Sequence, residues 1–164
     1  QLKYWIFADF GSFTFEFQYC NIPRRIIAET FLENDPPDYK FYCFNGEPKF
    51  IQAESDRSNE LKISLLDSNW KQLEFQRDDH KVHAPDKLPT KPKNFDIMLD
   101  FSKKLSEDFS FVRVDFYEID ERIYFGELTF TPGSGYFLYN PPEWNSRIGN
   151  MLDLPKKSKP FNFS

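Results

Sequence analysis

Apolar and polar residues alternate with period two in several stretches, and each alternation predicts a strand with one buried and one wet face. The clearest pair is Phe111 to Tyr117 and Arg122 to Phe130, joined by a polar turn around Ile119-Asp120-Glu121. It reads as a β-hairpin. Tyr39 to Phe44 and Lys49 to Ala53 flank Asn45-Gly46, a strong hairpin signal because both turn residues tolerate positive φ. Leu61 to Leu66 and Leu73 to Gln76 predict shorter strands, and the β-branched run Arg25 to Glu29 after Pro23 predicts another. From Asn94 to Glu107 the spacing becomes helical, with Phe95, Met98, Leu99, Ser102 and Leu105 on one face and Asn94 as the cap. A second short helix is expected over Glu143 to Leu152. Asn34 to Asp38 and the proline-bearing stretch His80 to Lys93 read as connections, and residues 1–20 as a short helix or loop. The sum predicts an α+β fold, an antiparallel sheet with packed helices.

Composition narrows the classes. At 164 residues the chain is one domain or a large part of one. Aromatic residues make up 19%, which argues against disorder. A formal charge of −5 argues against nucleic acid as a partner, and the run Lys156-Lys157-Ser158-Lys159 reads as a solvated tail. Two cysteines, Cys20 and Cys43, make neither a disulfide framework nor a zinc site, so a reduced, cytoplasmic setting is expected. No apolar run reaches the roughly 18 residues that membrane insertion needs, and no signal peptide is visible. G-x-S-x-G, H-E-x-x-H and C-x-x-C patterns are absent, and His80 and His83 have no third partner nearby.

The strands carry the candidate chemistry. On the first strand of the C-terminal hairpin Arg113, Asp115 and Tyr117 share a face; on the return strand Glu127 and Thr129 do. Paired as drawn, the Asp115 and Glu127 carboxylates converge beside Arg113 and Thr129. That set suits magnesium, which takes one or two protein carboxylates and completes its shell from water and phosphate. A solvated face with cross-strand ion pairs is the other reading. The following loop, Thr131-Pro132-Gly133-Ser134-Gly135, offers backbone N–H groups to an anion or oxyanion. Asp38 and Lys40 lie about 6–7 Å apart on one strand face, placed for a ribose hydroxyl and a phosphate or simply for each other. Trp70 and Trp144 read as packing anchors.

R-x-D on one strand, then E-x-T and x-P-G-x-G on the next, resembles the metal-binding segment of ATP-grasp ligases. There the last strand usually reads E-x-N-x-x-P-G, and Thr129 stands in the place of the asparagine. The stretch Asp38 to Arg57, DYKFYCFNGEPKFIQAESDR, resembles the TupA-like branch of that superfamily, named for teichuronopeptide synthesis and found in cell-surface polysaccharide pathways. The match continues through Phe109 to Asp115 and Gly126 to Phe130, and ends at Pro142 to Asn145 and Gly149. In that branch G-E-x-T-F is the expected pattern, so Thr129 fits.

The resemblance implies the C-terminal part of an ATP-grasp fold: a lead-in over 1–20, a nucleotide- and metal-binding subdomain over 21–154, and a polar, basic tail over 155–164. It implies an adenine hinge at Glu29 and the main chain of Thr30, Phe31 and Leu32, a ribose contact at Asp38, and a phosphate contact at Lys40. Asp115, Glu127 and Thr129 would hold Mg2+, Arg113 and the Gly133 loop would stabilise an oxyanion, and Arg57 would meet an acidic substrate or phosphate. ATP and Mg2+ are the implied cofactors. A carboxylate, activated as an acylphosphate, and an amine or sugar-derived acceptor are the implied substrates. The only glycine upstream of Asn45 is Gly11, so a glycine-rich phosphate-covering loop is missing and a fragment is expected. Catalysis is expected of the intact protein and left open for this chain alone. Two alternatives stay open, a glycosyltransferase, for which no D-x-D motif is present, and a non-catalytic carbohydrate- or protein-binding module that keeps the half-fold.

Overall fold

A computed structural model describes residues 6–7, 11, 14, 16–29, 36–55, 60–79, 85 and 87–154. Its strands are β1 (Asp38–Phe44), β2 (Glu47–Ser55), β3 (Lys62–Leu66), β4 (Gln76–Arg77), β5 (Phe111–Ile119), β6 (Arg122–Thr129) and β7 (Tyr139–Asn140). Two α-helices lie wholly among the described residues, α1 (Phe95–Ser106) and α2 (Glu143–Gly149). The main sheet is fully antiparallel, in the order β3-β2-β1-β5-β6, and β4 pairs with β7. Both long hairpins close through two residues of positive φ, Asn45 (53°) with Gly46 (79°), and Asp120 (49°) with Glu121 (62°). Their backbone twist matches that of the strands they join.

The sheet separates two apolar clusters. On one face Tyr39, Phe41, Ile51, Val112 and Val114 pack against Phe95 and Met98 of α1. On the other, Tyr42, Phe44, Phe50 and Leu65 lie under Phe75, Tyr139 and Trp144, brought there by the β4–β7 pair and α2. That second face is apolar over only half its length. The rest carries Asp38, Lys40, Gln52, Arg113 and Asp115, all buried. This polar half is where function must be sought.

Several expectations are corrected. Residues 23–29 form no strand, and Ile26 and Ile27 are exposed; among the described residues no strand pairs with this β-branched run. Leu73 to Gln76 is not a strand; pairing is limited to Gln76–Arg77 and an isolated bridge from Gln72 to Leu66. Ser106 is buried where Leu105 was expected to be, and Leu105 is exposed. Asn94 sits at the N-cap position but makes no capping bond. The Glu118 carboxylate does that work instead, accepting the Lys93 and Asn94 backbone N–H groups at 2.9 and 3.0 Å. Trp70 and Trp144 do pack, Trp70 on Tyr39 and Phe95, Trp144 flat on Phe75. Neither cysteine is in a disulfide among the described residues. Among the described residues no helix is long and apolar enough to cross a membrane. His80, His83 and the Lys156 to Lys159 run lie outside the described residues.

Cys43 offers a test of the core. It is fully buried, and burial pushes its thiol from 9.0 up to about 12. The raised value means the fold holds the neutral thiol, a contribution present below about pH 9 and lost progressively as pH climbs toward 12. At about pH 10.5 the loss amounts to about 2 kcal/mol. Urea unfolding of Cys43→Ala, compared with wild type at about pH 8 and pH 10.5, should show an alkaline drop smaller by that amount. Equal drops in the two proteins would contradict the assignment.

Candidate functional site

Register builds the site. Residues directly opposite on antiparallel strands share a face. Lys40 on β1 stands opposite Asp115 on β5 and Gln52 on β2; Tyr42 stands opposite Arg113, and Arg113 opposite Thr129 on β6. The β5–β6 register then slips: Val114 pairs with Leu128, but Phe116 pairs with Phe125. Gly126 and Glu127 therefore face the single residue Asp115, a β-bulge. A side chain at Gly126 would start 3.2 Å from the Asp115 carbonyl oxygen and 3.1 Å from the Tyr117 ring, so the bulge is closely packed at this glycine and a larger residue would push its neighbours back by a few tenths of an ångström. It bends β6 at the point where Glu127 reaches Arg113.

The cluster is ionic throughout. Arg113 grips Asp115 with two prongs, Nε to Oδ1 at 2.7 Å and Nη2 to Oδ2 at 2.6 Å, and also donates to Glu127 Oε1 at 2.9 Å. Lys40 Nζ lies 2.5 Å from Asp38 Oδ2, 3.0 Å from Asp115 Oδ2 and 3.8 Å from Glu54 Oε2. Among the described residues four carboxylates, Asp38, Glu54, Asp115 and Glu127, surround the two cations. Burial pulls Lys40 toward neutrality, but Asp115, Asp38 and Glu54 more than offset it and hold the ammonium above the ordinary lysine value. Burial likewise works against the Arg113 charge and is outweighed by Asp115. Asp38 is raised above the usual carboxylate value by burial, with Lys40 opposing. Depth differs sharply: the Asp115 side chain is 2% exposed and that of Glu127 is 63% exposed.

Two further features frame the cluster. Gln52 and Glu54, not singled out from the sequence, extend it along β2: Tyr42 donates to Gln52 at 3.1 Å and Gln52 donates to Glu54 at 2.5 Å. The Thr129 hydroxyl is buried and has no hydrogen-bond partner among the described residues. Past it, Gly133, Ser134 and Gly135 all take positive φ, at 56°, 52° and 78°. The loop is tighter than an open presenter of N–H groups, since Ser134 and Tyr136 donate theirs to Thr131 and Gly133. A side chain on Gly133 would collide with the Phe137 ring at 2.3 Å, and Arg77 stacks on that ring at 3.9 Å. The lead-in segment clamps the loop's start: Tyr19 accepts the Phe130 N–H at 2.9 Å, Gln18 donates to Thr131 at 2.8 Å, and Thr131 donates to Glu16.

The fold thus gathers Asp38, Lys40, Arg113, Asp115, Glu127 and Thr129 on one face. Asp115 and Glu127 meet through Arg113 rather than around a common centre. Glu29 is exposed on the irregular segment, and Thr30, Phe31, Leu32 and Arg57 lie outside the described residues.

Residues 4–153 match the family model described as TupA-like ATPgrasp. The chain belongs to the TupA-like ATP-grasp family. No curated protein and no solved structure matches it. Every residue of the ionic cluster falls within the span matched to the ATP-grasp family. Among the described residues no group of three or more His, Cys, Asp or Glu is arranged to hold a metal ion. Asp115, Glu127 and Thr129 offer two carboxylates and a hydroxyl, hard oxygens of the kind magnesium takes. Among the described residues the buried Thr129 hydroxyl has no hydrogen-bond partner, which leaves an oxygen free to meet a cation there.

Proposed function

We propose that this chain is the nucleotide- and magnesium-binding part of an ATP-dependent carboxylate ligase acting in cell-surface polysaccharide or peptide-polymer synthesis. One observation carries the reading beyond family membership: a buried Asp115 held between Lys40 and Arg113, with exposed Glu127 and the orphan Thr129 hydroxyl at its edge. Phosphoryl transfer needs cations placed against phosphate oxygens and little covalent help from the protein. Lys40 and Arg113 supply those cations on rigid neighbouring strands. Asp38, buried beneath Lys40, positions its ammonium as well as lying where a ribose contact is implied. Asp115, Glu127 and Thr129 would hold magnesium, which when bound neutralises charge on the β- and γ-phosphates.

The chemistry is an attack by a substrate carboxylate oxygen on the γ-phosphorus, with ADP leaving. An amine then adds to the acylphosphate carbonyl and gives up a proton to solvent, and inorganic phosphate departs with its electron pair. Arg113 and the backbone at Gly133 face the oxyanion of that second step. Calorimetric titration of the chain with ATP, in millimolar magnesium and again in EDTA, tests the reading. Saturable binding in magnesium alone is expected. Absence of binding under both conditions would overturn it, and sugar-nucleotide-dependent transfer without ATP would favour a glycosyltransferase.

A further inference from the structure

Beside the ionic cluster, on the same sheet face, lies a cavity of about 230 Å³. Tyr42, Phe44 and Phe111 form its floor, Phe130 and Phe137 one wall, and Ile148 of α2 another. An apolar cavity of about 150 Å³ already accepts benzene, so this one has room for a single ring. Its lining is mostly aromatic and aliphatic, and no charged residue lines it among the described residues. Tyr42 joins cavity to cluster: its ring lines the cavity and it stands opposite Arg113 across β1 and β5. Cross-strand neighbours on one face have Cβ atoms about 5 Å apart, so the Arg113 side chain starts beside the cavity's Tyr42 edge.

We propose that this cavity receives the apolar ring of a cyclic carboxylic acid and presents its carboxylate to Arg113 as the acyl substrate. The inference rests on the ligase reading and names its substrate class. A hydroxylated sugar ring fits less well. Its hydroxyls would lose water to a wall whose hydroxyls are already engaged, Tyr42 with Gln52, Tyr139 with Tyr42, and Thr131 with Glu16 and Gln18. The tight Gly133 turn and the Phe137 ring stacked under Arg77 hold the wall in place before any ligand arrives. A preformed wall costs the ligand little ordering.

Phenylacetate and glucuronate, equal in charge and ring size but opposite in polarity, are the probes for calorimetric titration of the chain. Phenylacetate should bind at least tenfold tighter than glucuronate. Ile148→Trp, which fills the cavity, should weaken phenylacetate at least tenfold, with folding checked by circular dichroism. Should that variant not fold, the comparison of the two acids on wild type decides alone. Equal or tighter glucuronate binding, or a folded Ile148→Trp protein that binds phenylacetate undiminished, overturns the inference. The ATP titration separates the two readings: ATP bound without phenylacetate sinks the cavity assignment and leaves the ligase, whereas phenylacetate bound without ATP sinks both, since the acid would have no phosphate donor.

Discussion

Asp115→Ala should destabilise the chain by about 3–5 kcal/mol, as removal of one member of a buried ion pair does. The Asp115 side chain is only 2% exposed and is the shared anion of two cations, Arg113 on both oxygens and Lys40 on one. Its loss leaves a guanidinium and an ammonium, each about nine-tenths buried, facing each other without the charge between them. Water is poorly placed to replace it. Urea unfolding at neutral pH measures the effect as a lower midpoint with an unchanged slope. The double variant Asp115→Ala with Arg113→Met should regain part of the loss, because the stranded charge goes with it. A drop below about 1 kcal/mol, the range of an exposed pair, would show that the cluster is open to solvent rather than buried.

Glu127→Gln is expected to do the opposite, abolishing magnesium-dependent ATP binding while leaving the fold intact. Its side chain is 63% exposed and makes one contact, to Arg113 at 2.9 Å. An exposed pair of this kind contributes less than about 1 kcal/mol, so melting should barely move. The amide keeps the shape and one acceptor oxygen but removes the negative charge that a hard cation requires. Calorimetry with magnesium and ATP should then show no saturable heat, and thermal melting should match wild type. Undiminished binding would remove Glu127 from the metal set and leave the family assignment without a site on this strand.

The difference between these two neighbouring carboxylates was not visible in the sequence, which placed both on one face as equals. Alternation did give the strands: β1, β2, β3, β5 and β6 all lie where period two put them, because each has an apolar face that must be buried. Depth on the polar face is different, since it depends on what covers it. Gln52 and Glu54 escaped for a sharper reason. The Asn45-Gly46 turn pairs Phe44 with Glu47 and Cys43 with Pro48, and an unbroken ladder would set Lys40 against Ile51. The ladder slips at that point, so Tyr42 pairs with Phe50 and Lys40 with Gln52. A slip of one residue exchanges the two faces of everything beyond it. Pro48, which has no N–H to give the ladder, sits beside the slip and is its one sequence signal. The failed strand at residues 23–29 teaches the converse, that β-branched residues make strands only where a neighbour offers backbone to pair with.

The self-pairing of Lys40 and Arg113 with the protein's own carboxylates makes ligand entry an ion exchange. At rest the chain carries no stranded buried cation there and so remains folded without a nucleotide. On the proposed reading a polyphosphate would displace Asp115 and Glu127 from Arg113, and magnesium would take over the oxygens thereby released. Neither ion would gain much by arriving alone, because each would leave one half of the exchange unmatched. Affinity for metal and nucleotide would then be cooperative by construction: free magnesium or free ATP would be a poor ligand, and their complex would match charge on both sides at once.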